Sequence, residues 1–137
     1  MTPIVAVGAI VFDEQGRVLL VERARPPGVG LWTVPGGRLE GAETLAQAVA
    51  REVREETGLF VEVGALACVV ERFGDDYHFV ILDYLARVIG GTLAAGTDAR
   101  AARFVAAEDL ATLPLTDGLV DVLARARATY ATWSASR

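Results

Sequence analysis

A chain of 137 residues, 53% hydrophobic and 23% charged, is long enough to build a core and too apolar to stay disordered. Its net charge of −5 offers no basic stripe for a nucleic-acid backbone, and the apolar run from Ile4 to Phe12 is too short to span a bilayer. Lysine is absent, which excludes Schiff-base chemistry and a P-loop, and serine occurs only at Ser134 and Ser136, which argues against a Ser–His–Asp triad.

Other exclusions follow from single residues. Cys68 is the only cysteine, so no internal disulfide forms, and within "ALACVV" it reads as a buried, inert thiol. With His78 as the only histidine, the usual zinc site is out of reach. The N-terminus shows neither a basic n-region nor a small-residue cleavage site, so no signal peptide is expected and the cytoplasm is the expected compartment. What remains is the chemistry of carboxylates, arginines and any metal the carboxylates hold. Oxygen donors favour Mg²⁺ or Mn²⁺.

In chain order, "VAVGAIVF", "DEQG" and "RVLLVER" read as strand, tight turn and strand. "ARPPGVGLWTVPGG" is loop-rich, with a short strand expected around Leu31 to Val34. A helix is expected from Glu43 to Thr57, stopped by Gly58. "FVEVGALACVVERF" and "YHFVILDYLARVI" are strand-like and flank a polar "GDD" turn. "ARFVAA" predicts one more strand and "EDLATL" a helical turn, and a final helix, capped by Thr116 or Asp117, is expected to run to about Tyr130. Strands and helices mix without a regular βαβ repeat, so the fold class is α+β or mixed α/β, with helices covering a sheet.

The helix carries the chemistry. On a wheel with about 100° per residue, Ala46, Ala48, Val49 and Val53 make one apolar arc. Glu52 and Glu56 fall in the middle of that arc and Glu55 at its edge. Like charges at i, i+3 and i+4 repel, and carboxylates aimed at the protein body need a partner. A bound cation is the simplest partner. A solvated acidic face, the usual reading of a glutamate-rich helix, does not fit this arc.

The spacing Gly37, five residues, Glu43, seven residues, then Arg51-Glu52-Val53-Arg54-Glu55-Glu56-Thr57-Gly58-Leu59 resembles the Nudix box at every fixed position. The resemblance implies the Nudix fold, a mixed sheet between helices, in one domain over 1–137 with the box at 37–59. It implies divalent-cation-dependent cleavage of a nucleoside diphosphate linked to another moiety. It also implies metal ligands: the Gly36 carbonyl with Glu52, Glu55 and Glu56. Glu43 and Arg51 would fix the loop–helix–loop geometry, Arg51 also orienting Glu55 from i,i+4. Gly36 and Gly37 would let the loop approach metal and phosphate.

Three stretches resemble the ADP-ribose pyrophosphatase-like branch: "LLVERARPPGVGLWTVPGG", "YHFVILDYLA" and "GGTLAAGTDARAARFV". ADP-ribose, cleaved to AMP and ribose 5-phosphate, is therefore the expected substrate. A nucleoside triphosphate pyrophosphohydrolase that removes oxidised nucleotides is the alternative, and a non-catalytic nucleotide-binding domain the third reading. Arg23 and Arg25 either contact the diphosphate or are solvent arginines at a strand end. Phe73, Tyr77 or Tyr84 either stack on a base or belong to the core. His78 is expected to be a structural hydrogen-bonder. Where many Nudix enzymes place a late glutamate this chain has Ala101, so the fourth ligand or general base falls to Asp98, Asp75 or Asp76. A small-molecule nucleotide is the expected partner, with no nucleic-acid polymer or membrane, and a homodimer stays open.

Overall fold

The computed structural model describes residues 1–135. The strands are β1 (Ile4–Val11), β2 (Val18–Arg23), β3 (Trp32–Thr33), β4 (Gly36–Arg38), β5 (Leu59–Phe73), β6 (His78–Gly91) and β7 (Ala99–Val105). Helix α1 spans Leu45–Thr57 and α2 Leu119–Ala135, with a 3₁₀ turn at Ala107–Thr112. Among the described residues no helix is long and apolar enough to cross a membrane.

The strands make two sheets. One runs β4-β1-β6-β5, with β1 and β6 parallel and the other pairs antiparallel; the second, antiparallel, runs β3-β2-β7. Alternation along β1 sends Val7, Ala9 and Val11 to a core shared with Ala48, Val49 and Val53 of α1. Ile10, and Phe12 just beyond, turn to a second core with Leu119, Val122, Leu123 and Ala126 of α2. Strand β2 divides the same way, Leu19 to the first core and Val18 and Leu20 to the second. Sheets between helices result, an α+β class, because the central strands are apolar on both faces.

Several boundaries differ from expectation for local reasons. Helix α1 starts at Leu45, not Glu43, because Thr44 caps it: its hydroxyl accepts the Gln47 N–H while the Gln47 side chain accepts the Thr44 N–H. Gly58 closes the helix in the left-handed conformation, φ 76°, as expected. Ala46 is exposed rather than turned to the sheet, since the first turn overhangs the core. Thr116 does not cap α2; its hydroxyl bonds that of Thr33 instead, and the helix starts at Leu119 and continues past Tyr130. Strand β7 starts at Ala99, earlier than "ARFVAA" implies, because β2 extends to pair with it through Arg23.

The unforeseen strand is β4, "GGR", which has almost no side chain to signal a strand. It pairs Gly36 with Gly8 and Gly37 with Val7 at the open edge of β1. Close approach explains its glycines: a Cβ on Gly36 would stand 2.2 Å from the Val7 carbonyl oxygen. Gly8 is in turn level with Asp83 on β6, so Gly36, Gly8 and Asp83 form a row across three strands.

Candidate active site

The acidic end of α1 meets β4 as the wheel implies. Glu52 and Glu56 point inward and are half-buried, while Glu55 is exposed at the rim. The Gly36 N–H donates to Glu56 Oε2 at 3.1 Å. A Cβ on Gly37 would stand 2.5 Å from Glu52 Oε1, so only glycine lets this backbone lie against the carboxylate. The loop after β6 fastens to the last turn of α1: Ala94 N–H donates to the Thr57 carbonyl and Gly96 N–H to that of Glu56. That loop carries Asp98.

Arg51 is the hub. Its guanidinium lies 2.6 Å from Glu43, 2.8 Å from Glu52, 2.9 Å from Glu40 and 3.2 Å from Glu55, and donates to the Arg38 carbonyl at 3.0 Å. The Glu43 pair uses both fork nitrogens, at 2.6 and 2.9 Å, the strongest geometry for an arginine–carboxylate contact. The Glu43 hydrogen bond is the main reason the Arg51 pKa is raised and the Glu43 pKa lowered. Arg51 thus ties the loop before α1 to the acidic turn.

The electrostatics are unbalanced. Burial, and after it the neighbouring Glu52, push the Glu56 carboxyl up to about 8, the Gly36 N–H only partly opposing them. Burial also raises Glu52, against the pull of Arg51. The two carboxyl groups are close enough to share a proton. Among the described residues no three His, Cys, Asp or Glu side chains form a ready-made metal cage. A cage is not required: Mg²⁺ keeps several waters and binds through one or two carboxylates plus substrate phosphates. A crowded pair of hard oxygen donors, half-buried, of which Glu52 shares the Arg51 guanidinium with Glu40, Glu43 and Glu55, fits such an ion. It would offset the charge that burial now suppresses by protonation.

Glu52, Glu56, Gly36 and Gly37 line one end of a 690 Å³ cleft. Arg23 also lines it; it donates to the Pro27 carbonyl at 2.6 Å, and its charge acts on Glu56. Arg25 and Asp98 stand at the rim paired with each other at 2.9 Å, both well exposed. A residue read as a diphosphate contact and one read as a base or ligand are therefore each other's partner. Asp75 and Asp76 lie in the exposed β5–β6 turn, away from the cleft lining. Tyr77 lines the cleft, whereas Tyr84 packs in the α1 core and Phe73 stacks on His78 at 4.3 Å. His78 is a structural hydrogen-bonder, 2.9 Å from Glu71, and Cys68 is buried as read.

Sequence reasoning passed over Asp83 and Arg72, which also line the cleft. The available signal was an acid inside the apolar run "FVILDYLA".

A family model, the NUDIX domain, matches residues 2–126. The chain belongs to the NUDIX family. Among its NUDIX relatives is an ADP-ribose pyrophosphatase of Methanocaldococcus jannaschii, 40% identical over 114 residues, covering 82% of this chain and 65% of that protein. The 8-oxo-dGDP phosphatase NUDT18 of Homo sapiens is 40% identical over 99 residues, covering 72% of this chain and 30% of that one. This chain thus spans under two thirds of either relative. Among solved structures, a MutT NUDIX hydrolase from Burkholderia pseudomallei superposes with a TM-score of 0.83 at 33% identity, covering 91% of this chain and 98% of that one.

Proposed function

We propose that this NUDIX domain hydrolyses the diphosphate bond of a nucleoside diphosphate linked to another moiety, with a divalent cation held by Glu52, Glu55, Glu56 and the Gly36 carbonyl. The observation that carries it is the crowded Glu52–Glu56 pair at the end of a cleft that Arg23 also lines. Bound Mg²⁺ or Mn²⁺ would supply charge neutralisation on the phosphates and an activated water. The chain's own residues do the positioning. Arg51 holds Glu52 and Glu55, Gly37 admits the phosphates close to the backbone, and Arg23 offers a cation to the diphosphate. Arg25 would serve likewise once released from Asp98.

Asp98 stays in the proposal as the late acidic group. Its loop is fastened to the end of α1 at Ala94 and Gly96, the latter two residues before Asp98. Asp98→Asn is expected to lower kcat at least roughly tenfold with KM little changed, the pattern of a group acting in the transition state. A change confined to KM would leave Asp98 only its pairing with Arg25.

ADP-ribose is the substrate we propose, supported by the M. jannaschii relative's name and by the arginines at the cleft. A diphosphate between two sugars lets binding energy from both ends act on the reacting bond. The name of the Homo sapiens relative favours a second reading, an oxidised guanine nucleotide. A substrate panel with Mg²⁺ and with Mn²⁺ separates them. ADP-ribose should give AMP and ribose 5-phosphate with kcat/KM at least roughly tenfold above any nucleoside triphosphate, a gap of about 1.4 kcal/mol. Phosphate or pyrophosphate release from 8-oxo-dGDP, dGTP or 8-oxo-dGTP at the higher efficiency would replace the first reading by the second.

A further inference from the structure

The proposed chemistry leaves one buried charge unused. Asp83, in the middle of β6, is 5% exposed. The charge acting on it is that of Arg72, whose guanidinium donates to the Asp117 carbonyl. Burying a carboxyl is costly, and one charge acting across a strand offsets that cost only in part.

The surroundings are shaped around this carboxyl. A Cβ on Gly8 would stand 2.1 Å from Asp83 Oδ1, so β1 has no side chain at the position that would cover it. Val34, Val70, Phe79, Ile81, Leu119 and Val122 line the same cleft. The result is a slot with apolar walls, the Asp83 carboxyl over Gly8, and Arg72, Thr116 and Asp117 also in its lining. Gly36, Gly8 and Asp83 are level on adjacent strands, and the Asp83 carboxyl reaches over Gly8, one strand spacing, about 5 Å, from Gly36.

We infer that Asp83 is the specificity residue of this cleft, accepting an N–H from the exocyclic amino group of the substrate's nucleobase. The inference rests on the nucleotide-hydrolase reading above and names the part of the substrate that Asp83 holds. Apolar walls suit a flat base better than a hydroxyl-rich sugar. A carboxylate accepts and does not donate, so an amino group gains a charge-assisted bond, whereas a carbonyl at the same place meets lone pairs. Sites built to bond a donor reject analogues lacking it far more strongly than apolar pockets reject a missing methylene.

The test compares each base with its hypoxanthine counterpart: ADP-ribose against IDP-ribose, where the amino group becomes a carbonyl, and dGTP against dITP, where it is deleted. Wild-type protein should prefer the amino-bearing member of whichever pair it hydrolyses by at least roughly tenfold in kcat/KM. In Asp83→Asn the side-chain amide offers an N–H as well as a C=O, and the ratio should fall to within about threefold. Both members are measured on one preparation, so the folded fraction cancels. Calorimetric binding of AMP and IMP without metal should show the same preference and the same loss. A wild-type ratio near unity, or an unchanged ratio in Asp83→Asn, overturns the role of Asp83. If no nucleotide is hydrolysed, the proposed function fails, while the AMP and IMP affinities still decide whether Asp83 reads the base.

Discussion

Glu56→Gln should lower kcat by roughly 10² or more while raising the melting temperature of the metal-free protein. Both effects have one cause. A half-buried carboxyl beside Glu52 would serve the proposed cation as a ligand when ionised and is a burden when no cation is present. Glutamine keeps the volume and still accepts the Gly36 N–H, but removes the charge. Loss of metal-borne stabilisation is worth several kcal/mol in the transition state, enough for that fall in rate. Steady-state kinetics and thermal melts in EDTA check both halves. Unaltered kcat would remove Glu56 from the metal site.

The same carboxyl sets a pH dependence. Its folded-state pKa is raised from 4.5 to about 8, so between those values the folded protein binds more protons than the unfolded chain. Stability is then full below the unfolded value and is lost as pH rises through the folded one. Metal-free protein should therefore melt lower at about pH 8 than at about pH 5, and Glu56→Gln should flatten that slope. Added Mg²⁺ binds the ionised form, so it should raise the melting temperature more at the higher pH.

Arg51→Met is the second large effect, and here stability leads. The substitution leaves Glu43 and half-buried Glu52 without their shared cation and the Arg38 carbonyl without a donor. Exposed Glu40 and Glu55 add little, because water screens them. Losing the half-buried Glu52 contact together with the two-pronged Glu43 contact should lower the melting temperature by about 5–10 °C. Arg51→Lys should recover only part of it, since an ammonium cannot make the two-pronged contact with Glu43. Activity should fall as well, because Glu52 and Glu55 lose the group that holds them. A melting temperature within about 1 °C of wild type would deny Arg51 its place at the centre of this network.

What sequence alone revealed follows what is local. Glu52 and Glu56 were readable as inward-facing because helical periodicity and the apolar arc lie within a few turns. The strand–turn–strand start and the Gly58 stop were readable for the same reason. Strand β4 was not, because "GGR" has no side-chain pattern and becomes a strand only by pairing with β1. Nor was the pairing of Arg25 with Asp98, or the meeting of Gly8 with Asp83, since register across strands distant in sequence decides both. Asp83 breaks an otherwise apolar strand, and that break marked a buried acid without saying what it faces.

In the proposed function the acidic turn of α1 works through a divalent cation. The direct measurement is hydrolysis of ADP-ribose, and in parallel of 8-oxo-dGTP, by wild-type protein stripped with EDTA and then titrated with Mg²⁺. Turnover should vanish in EDTA and return with Mg²⁺ to its starting rate, while Glu56→Gln stays at least roughly 10²-fold below it at every concentration. Undiminished hydrolysis of either substrate in EDTA would contradict the account.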